Sequence, residues 1–176
     1  DLASLVANAA AAIQTTMPTP KEAIEVLKQA EKDIDGILAV MAQHRDSTEV
    51  QEEGCEALGN VACNNDATRP TIVEKGGIEA VFHAMTQHSH HEQVQEEGCY
   101  MMYCMVNLES ARPAIRKGKA VMDAARNNFP NNGNIQYCLN IVCRMCNDEL
   151  ALRLEQMNRG SRFGDRRGGY DDCGSG

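Results

Sequence analysis

The sequence predicts an all-α protein assembled from repeated helical units, and three observations carry that reading. Aromatic residues make up only 4% of the chain and Trp is absent, while Ala and Met are plentiful. That mix suits packed helices better than sheets, which draw on aromatic and β-branched side chains. Apolar residues recur at helical spacing over most of the chain. A block of sequence also returns 44 residues later, with Val50-Gln51-Glu52-Glu53-Gly54-Cys55 reappearing as Val94-Gln95-Glu96-Glu97-Gly98-Cys99.

Size and charge narrow the function classes. The 176 residues amount to about one domain. A formal charge of −8 disfavours nucleic acid or an anionic membrane as the main partner, since both are themselves anionic. A hydrophobic content of 43% is enough for a packed core. No run of about 18 apolar residues is present, so no transmembrane helix is expected. Seven of the 8 cysteines fall in apolar helical stretches, where Cys behaves as a small hydrophobe. They are expected to be reduced, which points to an intracellular, cytoplasmic setting. The chain opens on Asp1 and its Ala-rich start lacks the basic flank of a signal peptide, so a fragment or processed form is expected.

The elements follow in order. Leu2, Leu5, Val6, Ala9, Ala12 and Ile13 mark an apolar helix, stopped by Met17-Pro18-Thr19-Pro20. Lys21 to Lys32 reads as a second helix with Ile24 and Leu27 inward. Ile34, Ile37, Leu38 and Met41 mark a third. A longer helix follows, in which Val50, Gly54, Ala57, Leu58 and Val61 form one apolar stripe. Arg69-Pro70 belongs to a short helix, since Pro is tolerated in a first turn. Lys75-Gly76-Gly77 then breaks the chain. A helix runs from about Ile78 to Gln87, and the polar stretch to Glu92 leads into a long helix with Val94, Gly98, Met101, Met102 and Met105 on one face. Gly is a costly helix residue, so its return at 54 and 98 is expected to mark close helix packing.

The register is extensive. Eight of thirteen positions are identical between 43–55 and 87–99, where ordinary composition would give about one. Arg69-Pro70-Thr71-Ile72 returns as Arg112-Pro113-Ala114-Ile115, one residue closer. A degraded third copy aligns Ile135-Gln136 with the two Val-Gln pairs and keeps Leu139, Val142, Cys143 and Cys146 in step. Asp148 to Met157 reads as a last amphipathic helix, with Leu150, Leu154 and Met157 on one face. Beyond Asn158, Arg, Gly and Asp dominate and disorder is expected.

Three helices in roughly 40–45 residues is an armadillo-type period. Val73-Glu74-Lys75-Gly76-Gly77-Ile78 resembles the inter-helix signature of the armadillo repeat family. Val50-Gln51-Glu52-Glu53 through Ala57-Leu58-Gly59-Asn60-Val61-Ala62 resembles its third helix. The resemblance spans about 33–147, with two clear repeats and a third degraded one. It implies an all-α, right-handed superhelical solenoid of armadillo-like three-helix repeats, each stacked on its neighbour because one unit cannot bury its own apolar face. The expected organisation is N-terminal helices over 1–32 (a cap or the end of a preceding repeat), a repeat domain over 33–157 and an Arg/Gly-rich flexible tail over 158–176.

In that family third helices line a concave groove for extended peptides. Peptide-binding members carry a Trp and an Asn four residues apart, the Asn clamping the peptide backbone. Carried onto this sequence, those positions are Glu56 and Asn60, then Tyr100 and Cys104, then Ile141 and Met145. Asn60 retains the Asn, and Tyr100 is an aromatic stand-in for the Trp. Glu52, Glu53, Glu56, Glu96 and Glu97 form an acidic ladder at the repeat spacing, which would attract a Lys/Arg-rich segment. The plainer alternative is a solvated helix face.

Other constellations carry less. Cys143-Arg144-Met145-Cys146 places two sulfurs on one helix face, but a structural zinc needs four ligands and no second pair lies at suitable spacing. Two core cysteines are expected there. His88, His90 and His91 share a polar loop, and solvated loop residues are expected. No phosphate-binding, nucleophile-elbow or zinc-protease motif is present. Arg159-Gly160, Arg162 and Arg166-Arg167-Gly168-Gly169-Tyr170 resemble an RNA-binding tail, but three nearby aspartates leave little net charge, so nucleic acid is expected to bind only weakly.

The expected function is thus non-catalytic, with no metal and no cofactor: a protein–protein interaction scaffold. It would bind a basic or extended partner chain on the concave third-helix surface through Glu52, Glu56, Asn60, Glu96 and Tyr100. The alternative is a structural subunit fixed permanently in a larger complex through its apolar ends, for which an exposed surface around Met101, Met102 and Met105 would speak.

Overall fold

The computed structural model describes residues 18–30 and 33–146. The helices expected near the start and at 148–157, and the Arg/Gly-rich tail, lie outside the described residues. Among the described residues the chain is all-α, with nine α-helices, one short 3-10 turn and no strand.

Each helix begins where local chemistry permits. α1 (Pro20–Gln29) carries Pro at its start and a reciprocal cap, in which the Thr19 hydroxyl accepts from the Glu22 N–H and the Glu22 carboxylate accepts from the Thr19 N–H. Asp33 caps α2 (Ile34–Gln43) by accepting from the Gly36 N–H at 2.9 Å. Ser47 caps α3 (Thr48–Asn64). α4 (Arg69–Glu74) holds the first Arg-Pro in its opening turn. Gly76, at φ 76, takes the left-handed conformation that lets α5 (Gly77–Gln87) start immediately afterwards. α6 (Glu92–Met105) follows, then the 3-10 turn Glu109–Ala111, α7 (Arg112–Lys117) and α8 (Lys119–Asn128). Asn132 caps α9 (Gly133–Met145) by accepting from the N–H groups of Asn134 and Ile135, each at 3.0 Å.

The helices pack in two rows. α1, α3, α6 and α9 lie side by side in that order, and α2, α5 and α8 form a second row behind them. One apolar core runs between the rows from Ala23 to Cys146. Removing that surface from water is the main force holding the rows together.

Two devices recur in the packing. The side-chain amide of Gln51 donates to the carbonyls of Met41 (2.9 Å) and His44 (3.0 Å). Gln95 does the same with Met85 (2.8 Å) and His88 (3.1 Å), and Gln136 with Arg126 and Phe129 (both 3.1 Å). Each amide thereby satisfies carbonyls at the end of α2, α5 or α8 that have no partner inside the helix. Gln51 and Gln95 are buried, and these bonds offset the cost of burying an amide. The second device is glycine. A Cβ at Gly98 would lie 2.6 Å from Met85 Cγ, and one at Gly54 would collide with Met41. Close packing is therefore the reason for glycine at both positions.

Two expectations are corrected. Met101, Met102 and Met105 are fully buried, so they form no exposed methionine surface. They face inward because α6 is flanked on both sides by helices of its own row and backed by α5, leaving a narrow outer face. Cys63 and Cys104 are joined by a disulfide between α3 and α6, with their Cα atoms 5.2 Å apart. Their separation of 41 residues falls outside the 44-residue register, so the repeat did not pair them. The other five described cysteines, at 55, 99, 138, 143 and 146, are buried thiols. No described helix is long and apolar enough to cross a membrane.

Candidate functional site

Most of the residues singled out in the sequence meet in one cleft. It opens on the outer face of the first row, where α3, α6 and α9 run side by side, and has a volume of about 450 Å³. α3 supplies Glu56 and Asn60, both exposed, and α6 supplies Glu96, Glu97, Tyr100 and Tyr103. α9 supplies Asn134, Tyr137 and Cys138. Glu52 lies one turn before Glu56 on α3, outside the cleft lining but close enough to act on Glu97 through its charge. Four of the five expected partner-binding residues thus share one site. Cys104 does not offer a thiol, since its sulfur is bonded to Cys63.

The aromatic wall is larger than the sequence suggested. Tyr100 and Tyr103 lie with ring centroids 6.5 Å apart and planes 25° from parallel. Tyr137 from α9 comes within 6.0 Å of Tyr103 at 49°. Tyr137 is 58% exposed, an unusual position for a large ring, and Tyr103 and Tyr100 are partly buried beneath it. The neighbouring Tyr137, by charge and by hydrogen bonding, raises the pKa of the Tyr103 phenol.

The carboxylates divide by what holds them. Glu96 is committed to structure. Its two oxygens accept from the side-chain amides of Asn132 (2.8 Å) and Asn134 (2.7 Å), tying α6 to the start of α9. Glu53 faces Lys28 of α1 at 3.9 Å. Burial raises its pKa, Lys28 lowers it and neighbouring glutamates raise it again. Glu97 and Glu56 have no hydrogen bond or ion pair among the described residues. Burial, with the charges of Glu56, Glu96, Glu52 and Glu53, pushes the Glu97 carboxyl up to about 7. Removing water disfavours the anion, and four like charges disfavour it further. Cys138 is pushed up to about 11 by burial and by Glu96 and Glu97, so it stays a thiol at neutral pH.

A second, larger cleft of about 720 Å³ lies between α1 and α3 and shares Glu56 and Asn60. It lacks aromatic rings and already contains Lys28. The tyrosine-walled cleft is therefore the better candidate despite its smaller volume, because it combines carboxylates without a counter-charge among the described residues and rings that can stack.

The remaining motifs have structural roles. Cys143 and Cys146 are both buried in the core. His88 joins two loops: its Nε2 meets the Arg45 carbonyl at 2.8 Å and its Nδ1 lies 3.4 Å from the Thr48 hydroxyl. Nε2 must donate to a carbonyl, so Nδ1 accepts from Thr48. Among the described residues no group of three or more His, Cys, Asp or Glu is placed to hold a metal ion.

Sequence reasoning passed over Glu97 as a distinct group, and Tyr103 and Tyr137 altogether. A signal for Tyr137 was present. Aligning Gln136 with Gln95 puts Tyr137 opposite Glu96, and so beside the cleft. Comparison with protein-family models, with curated proteins and with solved structures finds no match to the chain.

Proposed function

We propose that this chain is a non-catalytic protein-interaction scaffold, a short right-handed solenoid of armadillo-like repeats. Its α3–α6–α9 face takes a Lys/Arg-rich segment of a partner protein. The observation that carries this reading is the cleft itself. It combines Glu56 and Glu97, which no cation among the described residues neutralises, with three contiguous tyrosines, one of them 58% exposed. Negative charge draws a cationic segment in, and tyrosine faces hold its cations and aliphatic stems. The repeat reading is supported by the glutamine clasps of 51, 95 and 136 and by the glycine contacts of 54 and 98, which recur with the sequence register.

The test is titration of the chain with a capped Lys/Arg-rich peptide, followed by fluorescence anisotropy. The comparison is a Glu52→Lys/Glu56→Lys variant, since neither side chain makes a hydrogen bond among the described residues. The expected result is a loss of affinity of more than about tenfold in a variant of equal helicity. Equal binding by both proteins would place the partner elsewhere.

A further inference from the structure

We infer that the cleft holds an arginine side chain of the bound partner against Tyr100, Tyr103 and Tyr137, and that its guanidinium displaces a proton resident on Glu97. This rests on the reading of the α3–α6–α9 face as a surface for a basic segment.

The geometry supplies both halves. Glu97 is half-buried in the seam between α3 and α6 and opens into the cleft. The titratable groups acting around it are Glu52, Glu53, Glu56 and Cys55 from α3, Glu96 from its own helix and Cys138 from α9. None is cationic. Placing another anion among them is unfavourable, so in the free protein Glu97 is largely protonated below about pH 6 and about half protonated near neutrality. A cation brought within about 4 Å reverses that balance, because opposite charges at that distance stabilise the ionised form. The proton then leaves to the buffer, and the carboxylate remains to pair with the newcomer.

The rings decide which cation fits. A guanidinium is planar, weakly hydrated and able to stack on an aromatic face while pairing its edge with carboxylates. An ammonium is a compact, strongly hydrated point charge that makes no stacked contact. Tyr100 and Tyr103, only 25° from parallel on consecutive turns of α6, present such faces beside Glu56 and Glu97. Tyr137 adds an accessible third face from α9.

Isothermal titration calorimetry of the full chain tests this with two capped Gly/Ser peptides, one carrying arginines and the other lysines at the same positions. Runs at pH about 6, about 7 and about 8, in buffers of different ionisation heat, count the protons released. With the free carboxyl near 7, the arginine peptide should bind roughly tenfold more tightly at pH about 8, and release about half a proton at pH about 7. Glu97→Gln resembles the protonated state and should bind like the wild type at the lower pH, with most of the pH dependence gone. Tyr137→Ala, at an exposed position, should reduce the preference for arginine over lysine. Binding without proton release overturns the inference and leaves the scaffold reading standing, as does a pH dependence unchanged by Glu97→Gln. Equal affinity for the two peptides overturns the arginine assignment. Failure of both peptides to bind at any of these pH values removes the scaffold reading and this inference with it.

Discussion

The two seams that flank α6 are built on different principles. Against α3 the contact is largely apolar and closely packed, with Tyr100 lying where a Cβ on Gly59 would be 3.0 Å away, and it is closed by the Cys63–Cys104 disulfide. Against α9 the contact is polar at its entrance. Glu96 accepts from Asn132 and Asn134, Glu92 accepts from Asn132 at 2.8 Å, and Tyr103 meets Tyr137 farther along. Glu97 sits in the first seam and Glu96 in reach of the second. Neighbouring carboxylates one residue apart therefore play opposite parts. One is held by two amide donors as part of the structure, and the other is left without a partner among the described residues, in the cleft.

The sharpest way to break the contrast is to open the disulfide. It closes a loop between residues 41 apart, and the chain-entropy relation for such a loop gives up to about 4 kcal/mol. Reducing agent should lower the urea midpoint by a corresponding amount, and a Cys63→Ser/Cys104→Ser variant should show no response to reductant. A midpoint insensitive to reductant in the wild type would mean the α3–α6 seam is held by packing alone.

Gln95 belongs to the joint behind both seams. Gln95→Leu should cost about 1–3 kcal/mol, because the Met85 carbonyl at the end of α5 loses its side-chain donor, while the His88 carbonyl keeps the His91 N–H. Chemical denaturation measures this, and a cost below about 1 kcal/mol would show that water reaches the Met85 carbonyl.

The polar seam should be weaker. Asn132→Ala removes a helix cap together with a donor to Glu92 and Glu96, for an expected loss of about 1–2 kcal/mol. Hydrogen exchange should locate the change in the first turn of α9, leaving the α3–α6 seam protected.

The smallest effect concerns Glu97 and depends on pH. Its folded-state pKa is raised to about 7, so the folded chain holds a proton that the unfolded chain releases nearer 4.5. That contribution to stability is fully present below the unfolded value and is lost as pH rises through about 7. Glu97→Gln should therefore stabilise the protein at pH about 8 by on the order of 1 kcal/mol, after allowing for solvent screening of a half-exposed group, and change little at pH about 5. Thermal melts at the two values decide it. Equal shifts at both would indicate a packing effect and no titration.

Much of the chain was legible because its signals are local. The stripe Val50, Gly54, Leu58 and Val61 predicted α3, and Gly76-Gly77 predicted the break before α5. The glycines at 54 and 98 announced close packing because glycine has no other reason to recur inside a helix. The expected site was legible in part. Glu56, Asn60, Glu96 and Tyr100 were found through the repeat, and they do share a cleft. Tyr137 was not legible through the armadillo resemblance, which carries its Trp and Asn positions onto Ile141 and Met145, farther along α9. The apolar stripe of Met101, Met102 and Met105 was legible, but a stripe does not say how many neighbours will cover it, and their full burial removes the exposed surface that the fixed-subunit alternative called for.

Helical periodicity, capping chemistry and glycine placement act over a few residues, so the amino-acid order alone sets where these helices start, stop and turn an apolar side inward. The relations between distant residues are of another kind. That Cys63 meets Cys104, that Tyr137 lies beside Tyr103, and that Glu97 loses its water while Glu96 finds two donors all depend on how α3, α6 and α9 are laid together. Those outcomes come from side-chain packing and desolvation across the row, which no spacing along the chain encodes by itself.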